Sequence, residues 1–307
     1  MKKRHKLPVE VFLLLILLIV FETSLSAAGS TSGEVLLLNT NAALTASGNA
    51  GAAALDYNAH FISLNPAHIS YQKNNCVSFS FNKYIESVNQ HEIVYLGKIK
   101  NRFYGISVAY LDYGDFQRTL YNELTGNVSF AGDFTASDII IKTYVQAFKF
   151  YGISTGVSLK YLREKIEDYK AGVFMADAGA IYPVPETSLS LGASFQNIGG
   201  KMKFDKESFG LPELFRIGVS YNIPEFKLNL NLDWQKIKSR EGDICAGVQF
   251  QFNKSIGFNA GYNGANDAGK GYTAGFNLNI SSLELLYAFE PFKDFDSSHR
   301  ITLVYNF

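Results

Sequence analysis

Residues 226–235 read FKLNLNLDWQ, with apolar residues at every second position and polar residues between them. A β-strand points successive side chains to opposite faces, so this period places each set on one face, whereas a helix would scatter both around its circumference. The same alternation recurs at residues 188–197, 243–252 and 272–280. These stretches predict a chain built mainly of β-strands.

The polar face of these strands carries Ser, Gly, Asn, Gln, Lys and Asp, which is too polar for the core of a sandwich. An apolar outer face and a polar inner face are typical of a transmembrane β-barrel. We therefore predict an all-β, transmembrane antiparallel barrel of about fourteen strands. The predicted strands are residues 76–87, 91–99, 103–113, 137–149, 152–163, 174–183, 188–197, 214–222, 226–235, 243–252, 256–263, 272–280, 283–290 and 300–307.

The connections between these strands alternate in length. Short turns such as 150–151 and 281–282 alternate with longer loops such as 114–136, 164–173 and 198–214. Outer-membrane barrels have short periplasmic turns and longer external loops. The pattern predicts a barrel in the cell outer membrane, surrounded by outer-membrane lipid, with both chain ends on the periplasmic side.

The last strand is amphipathic and ends on Phe307. Outer-membrane proteins typically end in such a strand with a terminal aromatic residue, which the barrel-assembly machinery recognises. We therefore predict this machinery as a partner.

Composition excludes other classes of protein. The 307 residues carry a formal net charge of +0, with 18% charged and 14% aromatic residues. So apolar a chain can bury surface, which argues against disorder. No basic excess is available to neutralise phosphates, so we expect no binding of nucleic acid.

Residues 1–28 are predicted to form a secretory signal peptide. The chain begins MKKRHK and continues with the apolar run VFLLLILLIVF at residues 11–21. That run is shorter than the roughly 20 residues of a membrane-spanning helix. Ser26 and Ala28 suit the cleavage site, so we place cleavage before Gly29, an uncleaved anchor being the alternative.

Catalysis and metal binding are not predicted. Residues 152–156 (GISTG) match the G-x-S-x-G nucleophile elbow, but that motif needs a strand-to-helix turn, and here it opens an alternating strand. A lipid hydrolase that uses Ser154 is kept only as a third hypothesis. The histidines show no metal-ligand spacing. Cys76 and Cys245 fall on the first and tenth predicted strands, so we expect both thiols to be unpaired.

Residues 29–75 do not alternate and form a separate N-terminal part ahead of the barrel domain, residues 76–307. Residues 41–56 read NAALTASGNAGAAALD, and Asn65-Pro66-Ala67 follows. This part is either a disordered periplasmic tail or a compact plug in the barrel lumen. Its apolar residues favour the plug.

The order of these motifs resembles that of the FadL-type long-chain fatty-acid transporters, and more closely the PorV/PorQ-like branch, over about residues 40–307. The matching pieces are Asn65-Pro66-Ala67, YLDYG at 110–114, GDFTASD at 132–138, GVSLK at 156–160, QNIG at 196–199, LP at 211–212, and Arg216, Gly218 and Tyr221. The sequence departs from the family at residues 48–58, which are poorer in glycine and in acidic residues.

The resemblance implies two functions. FadL-type members pass hydrophobic molecules through the outer membrane, with the N-terminal part as a hatch, whereas PorV-like members dock or shuttle exported proteins in a secretion system. Passage of a long-chain fatty-acid-like molecule is our leading hypothesis and the secretion role the alternative. The candidate partners are therefore a hydrophobic small molecule or an exported protein.

Candidate site residues follow from both arguments. Asn65, Pro66 and Ala67 are assigned to the plug. The lumen is predicted to carry both signs of charge, at Lys142, Lys160, Arg216, Lys227, Asp233, Glu284 and Glu290. A carboxylate-headed ligand favours a cation near the plug, so Arg216 and Lys160 are the candidate ligand residues. Aromatic residues of the long loops are the candidate landing surface or loop packing, namely Phe116, Phe130, Phe134, Phe204 and Phe209.

Overall fold

The computed structural model describes residues 31–55, 60–100, 102–204 and 207–307. The predicted signal peptide and its cleavage site before Gly29 lie outside the described residues. No helix of the described ranges is long and apolar enough to cross a membrane.

Fourteen antiparallel strands close into a barrel, as the alternation predicts. The barrel strands are Cys76–Lys83 (β1), Asn89–Ile99 (β2), Arg102–Asn122 (β3), Asn127–Phe150 (β4), Ile153–Ile166 (β5), Tyr169–Pro183 (β6), Leu189–Gly199 (β7), Leu214–Ile223 (β10), Leu228–Ile237 (β11), Gly242–Gln251 (β12), Ile256–Asn263 (β13), Tyr272–Ile280 (β14), Leu283–Glu290 (β15) and Ser298–Asn306 (β16). Met202–Phe204 (β8) and Glu207–Phe209 (β9) form a separate hairpin between β7 and β10.

Each barrel strand pairs with the barrel strands that precede and follow it in the chain, so that β7 pairs with β10 across the β8–β9 hairpin. β1 pairs with β16 and closes the barrel. We call the end of the barrel where β2, β4, β6, β10, β12 and β14 end the short-turn end, and the opposite end the long-loop end. Cys76 and Cys245 are buried and free, which confirms the expectation that they are unpaired.

The main difference from the predicted map is a hairpin arm, residues 113–136, where a loop was expected. β3 continues to Asn122 and β4 begins at Asn127, so most of the predicted loop is paired strand. Register shifts at Asp112/Asp115 and Gln117/Thr119 interrupt the pairing. Each shift moves the following residues to the other face, so the period-two signal is lost although the strands continue.

Three other boundaries differ from the prediction. The predicted loop 164–173 is a tight turn, since β5 ends at Ile166 and β6 begins at Tyr169. The first hairpin turns at residues 84–88 rather than 88–90. β11 begins at Leu228, after a 3-10 helix, Pro224–Phe226, that ends at Lys227 with a positive φ of 52°.

The two faces of the barrel wall differ in polarity, as predicted. On β11, Leu230 and Leu232 are exposed on the outer face while Asn231 and Asp233 are buried on the inner face. The same division holds on β16, where Ile301 and Leu303 face outwards. The outer face therefore suits lipid, and the inner face meets polar groups of the chain itself.

Residues 31–55 and 60–75, the N-terminal segment, lie against this inner face. The segment contains a 3-10 helix, Glu34–Leu37, the short helix Ala42–Ala46 (α1) and a second 3-10 helix, Pro66–Tyr71. Wall side chains hold its main chain: Ser190 Oγ donates to the Ala53 carbonyl at 2.6 Å and Gln196 Nε2 to the Ser63 carbonyl at 2.6 Å.

Candidate functional site

The Asn-Pro-Ala motif anchors the N-terminal segment to β6 and β7. The Asn65 amide donates to the carbonyls of Ala180 at 3.1 Å and Ala193 at 3.2 Å on these strands, and to the carbonyl of Ala52 at 2.9 Å. Asn65 Oδ1 accepts from the Ala67 N–H at 3.0 Å and so caps the 3-10 helix. Asn65, Pro66 and Ala67 are all buried, so the structure places them in a structural joint.

Glycine on the wall makes this joint possible. A Cβ added to Gly179 would collide with Asn65 Oδ1, and one added to Gly156 would collide with the Pro66 carbonyl. Both glycines lie on the inner face of neighbouring strands. Because they have no side chain, the main chain of the wall can pack directly against the Asn-Pro-Ala motif.

Arg216 lies on β10 and holds the middle of the N-terminal segment. Its Nη1 donates to the Asn49 carbonyl at 2.8 Å and lies 3.4 Å from Asp233 Oδ2 on β11. Its Nη2 donates to Gln235 Oε1. Asp233 in turn accepts from the N–H groups of Gly51 and Ala52, each at 3.0 Å. Arg216 and Asp233 together therefore bind a carbonyl and two N–H groups of the main chain between Asn49 and Ala52.

Lys160, the other candidate ligand residue, forms its ion pair and hydrogen bond with residues of the barrel wall. Its Nζ lies 2.7 Å from Asp177 Oδ2 on β6 and donates to Asn197 Oδ1 at 2.9 Å. Asp177 also accepts from Ser158 Oγ at 2.6 Å. Both cations are buried, but these partners of Lys160 lie on β6 and β7, whereas Arg216 also contacts the N-terminal segment.

Two further ion pairs lie on the inner face, and the sequence prediction missed one member of each. Arg300 Nη1 donates to Glu290 Oε2 at 2.7 Å, and Lys142 Nζ to Glu92 Oε1 at 3.2 Å. Arg300 also donates through Nε to the Asn39 carbonyl at 3.1 Å. Its inward register in β16 is a signal in the sequence that could have found it.

Histidines of the N-terminal segment complete its contacts. His60 Nε2 lies 3.1 Å from Glu284 Oε2 on β15. His68 is enclosed within the segment, where burial lowers its pKa to about 4, so the ring is neutral around pH 7. The neutral ring lies with Nε2 3.0 Å from the Gly51 carbonyl, next to the loop that Asp233 holds.

A cavity of about 410 Å³ opens between the N-terminal segment and the wall at the long-loop end. Its apolar lining includes Leu36, Leu37, Leu38, Leu214, Ile237, Tyr84 and Phe292. Arg216, Arg240 and Arg300 supply cations to the same lining, and Glu34, Asp267 and Glu290 supply carboxylates. This combination of apolar walls and a few convergent polar groups is typical of small-molecule sites, and we call it the mouth cavity.

A second cavity of about 750 Å³ opens at the short-turn end. Amide side chains dominate its wall, among them Asn229, Gln249, Asn259 and Asn277. Lys227, predicted on a lumen strand, lies in a turn at this end and donates to the Phe252 carbonyl at 3.2 Å. The N-terminal segment contributes to both cavities and lies between them.

The predicted aromatic landing residues fall into two groups. Phe116 and Phe134 pair across the hairpin arm with ring centroids 5.3 Å apart, and Phe130 is exposed further out. Phe204 packs against the buried cluster around Met202 and Val173, and Phe209 pairs with Met202 in the β8–β9 hairpin. Phe116 and Phe130 are exposed, whereas Phe134, Phe204 and Phe209 are half-buried.

Ser154 lies inside the uninterrupted strand β5, so the G-x-S-x-G match lacks the strand-to-helix turn of a nucleophile elbow. In the part of the chain that the structure describes, no cluster of His, Cys, Asp and Glu could hold a metal ion.

Comparison with solved structures identifies the type of barrel. The chain is similar to the Pseudomonas putida toluene transporter TodX, with 11% identity and a TM-score of 0.59 over 86% of this chain and 96% of that one. A Pseudomonas aeruginosa FadL homologue aligns with 10% identity and a TM-score of 0.56 over 87% of this chain and 98% of that one.

No protein family and no curated protein matches the chain by sequence. The similarity to the solved transporters therefore concerns the fold: a closed fourteen-stranded antiparallel barrel of the FadL-like type. The PorV/PorQ-like branch stays a prediction.

Proposed function

We propose that this protein is an outer-membrane barrel that takes up small hydrophobic molecules, of the long-chain fatty-acid type, past an N-terminal plug. In this proposal the long-loop end faces the cell exterior and the N-terminal segment is the plug. The observation that carries the proposal is the mouth cavity, where apolar side chains and arginines converge beside the segment. The fold supports it, since solved barrels of this shape include a toluene transporter.

The arginines link ligand binding to the plug. Arg216 and Arg300 line the mouth cavity while they donate to the carbonyls of Asn49 and Asn39. A guanidinium binds a carboxylate more strongly than a neutral carbonyl, because the hydrogen bond is charge-assisted. A bound carboxylate therefore competes for both arginines and weakens two contacts that hold the plug.

The cavity at the short-turn end gives the route its exit. Its amide lining is polar and open, so a hydrophobic molecule gains little by staying there. We infer binding at the mouth, displacement of the segment between Asn39 and Ala52, and release at the short-turn end.

Fatty-acid binding to the purified protein in detergent tests the ligand site. The variants are Arg216→Gln/Asp233→Asn and Arg300→Gln/Glu290→Gln, because removing both charges of a pair leaves no buried charge unpaired. Each should weaken binding of an alkyl carboxylate about tenfold and leave binding of its methyl ester unchanged. Lys149→Gln, an exposed cation at the short-turn end, is the control. Equal binding of acid and ester by the wild type would contradict the proposal.

One observation favours the alternative, a barrel that docks exported proteins. The hairpin arm projects beyond the barrel with exposed apolar residues, among them Leu120, Tyr121, Val128 and Phe130. Exposed apolar patches mark surfaces that bind other molecules. Native mass spectrometry of the protein purified from its own membrane separates the two functions. A retained amphiphile supports uptake, and a retained exported protein that is lost on replacing residues 115–134 by a short turn supports docking.

A further inference from the structure

Three cations project from the outer face of two neighbouring strands. Arg163 and Lys165 on β5 and Lys170 on β6 are all exposed. Lys165 is directly opposite Lys170, and Arg163 is directly opposite Gly172. Like charges directly opposite each other destabilise a sheet, so this arrangement favours an anion bound between them.

The pairing register shows where the outer face changes in polarity. Lys165 lies in one row of paired residues with Ser137, Asp112, Asn89 and Lys83, all polar and on the outer face. Nearer the short-turn end, the row of Tyr161 contains Ile141, Val108, Ile93 and Phe79. Such rows run obliquely to the membrane plane because barrel strands are tilted. On β5 itself the outer face changes from Leu159 and Tyr161 to Arg163 and Lys165, and the boundary between lipid tails and headgroups is expected at this change.

The surface below the cluster is well suited to lipid tails. Leu159 is 66% exposed and Phe174 75% exposed on the same outer face. The Tyr161 and Phe174 rings contact each other, with centroids 4.6 Å apart, and form an aromatic pair of the kind found at membrane interfaces. A lipid whose tails cover these residues would bring its headgroup to Arg163, Lys165 and Lys170.

Acidic residues near the cluster are mostly engaged elsewhere. Glu164 faces the lumen and accepts a hydrogen bond from the Gly33 N–H. Glu167 in the β5–β6 turn contacts Arg118 on the hairpin arm. Asp112, two strands away, accepts from the Gly114 N–H at 3.1 Å. Asp168 in the turn and Asp115 and Asp133 on the hairpin arm are exposed. On β5 and β6 themselves, the outer-facing residues include the three cations and no acid.

We propose that this outer face binds the phosphorylated headgroup of a membrane lipid in the leaflet at the long-loop end. The Arg163 guanidinium supplies two parallel donors to phosphate oxygens, and Lys165 and Lys170 supply point charges on its other side. The Tyr161 hydroxyl covers Gly172, the residue opposite Arg163, since a Cβ added to Gly172 would lie 2.6 Å from it. The site is separate from the lumen and does not depend on what passes through it.

Lipid binding in nanodiscs of neutral lipid tests this site, with phosphatidic acid as the probe and diacylglycerol, which lacks the phosphate, as its comparison. The wild type should bind the probe and not the comparison. Arg163→Gln/Lys165→Gln/Lys170→Gln should weaken probe binding about a hundredfold, or roughly fivefold for each cation removed. Lys165→Arg/Lys170→Arg keeps the charges and should bind as the wild type does.

Two controls exclude a trivial result. Heat-modifiable gel migration shows that each variant has formed its barrel, and Lys149→Gln removes an exposed cation at the opposite end. Equal binding of diacylglycerol, equal loss in Lys149→Gln, or undiminished binding by the folded triple variant would each overturn the proposal. Complete competition by inorganic phosphate at the affinity of the lipid would also overturn it, because the lipid would then contribute nothing.

Discussion

Single residues hold the N-terminal segment to the wall, and most act on its main chain rather than on its side chains. Arg216 and Arg300 of the wall donate to carbonyls of the segment, and Asp233 accepts from its N–H groups. In the other direction, Asn65 of the segment donates to carbonyls of β6 and β7. Buried backbone groups without secondary-structure partners must find others, and here the wall supplies them. The sequence of the segment can therefore be small and apolar, as its alanines and glycines are.

A substitution at Gly179 tests how tightly the wall and the Asn-Pro-Ala joint fit. Gly179→Ala places a methyl group against Asn65 Oδ1 and should lower the free energy of unfolding by about 1–3 kcal/mol, as overpacking does. The midpoint of heat-modifiable gel migration measures the change. Gly210→Ala is the matched control, because a Cβ there meets open space. An equal midpoint for both variants would mean that the joint is loose.

The pKa of His68 predicts how stability depends on pH. Burial lowers it to about 4 from an ordinary value of 6.5, so between these two values the unfolded chain binds the proton and the folded protein does not. The contribution of His68 is therefore fully present above pH 6.5 and falls by about 2–3 kcal/mol as the pH is lowered to 4. His68→Gln should flatten stability in this window relative to the wild type; an unchanged profile would exclude His68 as the titrating group.

Among the elements, the hairpin arm differs most from its neighbours. β3 and β4 are 21 and 24 residues long, against 8 for β1, so their distal halves extend beyond the barrel wall. A two-stranded ribbon without a packed face is marginally stable. The stacked Phe116 and Phe134 rings and the contact between Arg118 and Glu167 support its base, but not its tip.

Limited proteolysis measures how stable the tip of the arm is. Leu124 is 97% exposed and follows Glu123, so a Glu-specific protease should cut after Glu123 well before it cuts any barrel strand. The two fragments should stay together and migrate as one folded barrel in an unheated gel. Glu123→Gln should abolish this early cut. Early cutting within β10–β16 instead would show that the arm is not the least stable element.

At the scale of the whole molecule, the sequence predicted the barrel and left the packing of its lumen open. A strand between lipid and a polar interior has a period-two pattern that is readable one strand at a time, as in residues 226–235. The period-two pattern is lost in the hairpin arm, because bulges move the following residues to the other face. Elsewhere the pattern predicts that Arg216 points inwards. It cannot predict that Asn49 is the partner of Arg216, because that contact joins residues far apart in the chain.

Deletion of residues 41–67 tests the N-terminal segment as a whole. The deletion removes the groups that Arg216, Asp233 and Thr302 contact, so the lumen should open and single-channel conductance in planar bilayers should rise. The double variant Arg216→Gln/Asp233→Asn, which keeps the segment in the chain, should show a smaller rise. Conductance equal to that of the wild type after the deletion would contradict a plug.

The closing seam of the ring has a consequence for assembly. β1 pairs with β16, and Thr31 at the far end of the N-terminal segment bridges Gly210 at the long-loop end. The segment directly precedes β1, so it must be seated before the first and last strands join or be threaded through a finished cylinder afterwards. Placement of the segment before closure is the simpler order, and the segment then serves as a template around which the sheet closes into a barrel. Its deletion should slow the appearance of the compact gel band during refolding, because that final joining is the most non-local step in the chain.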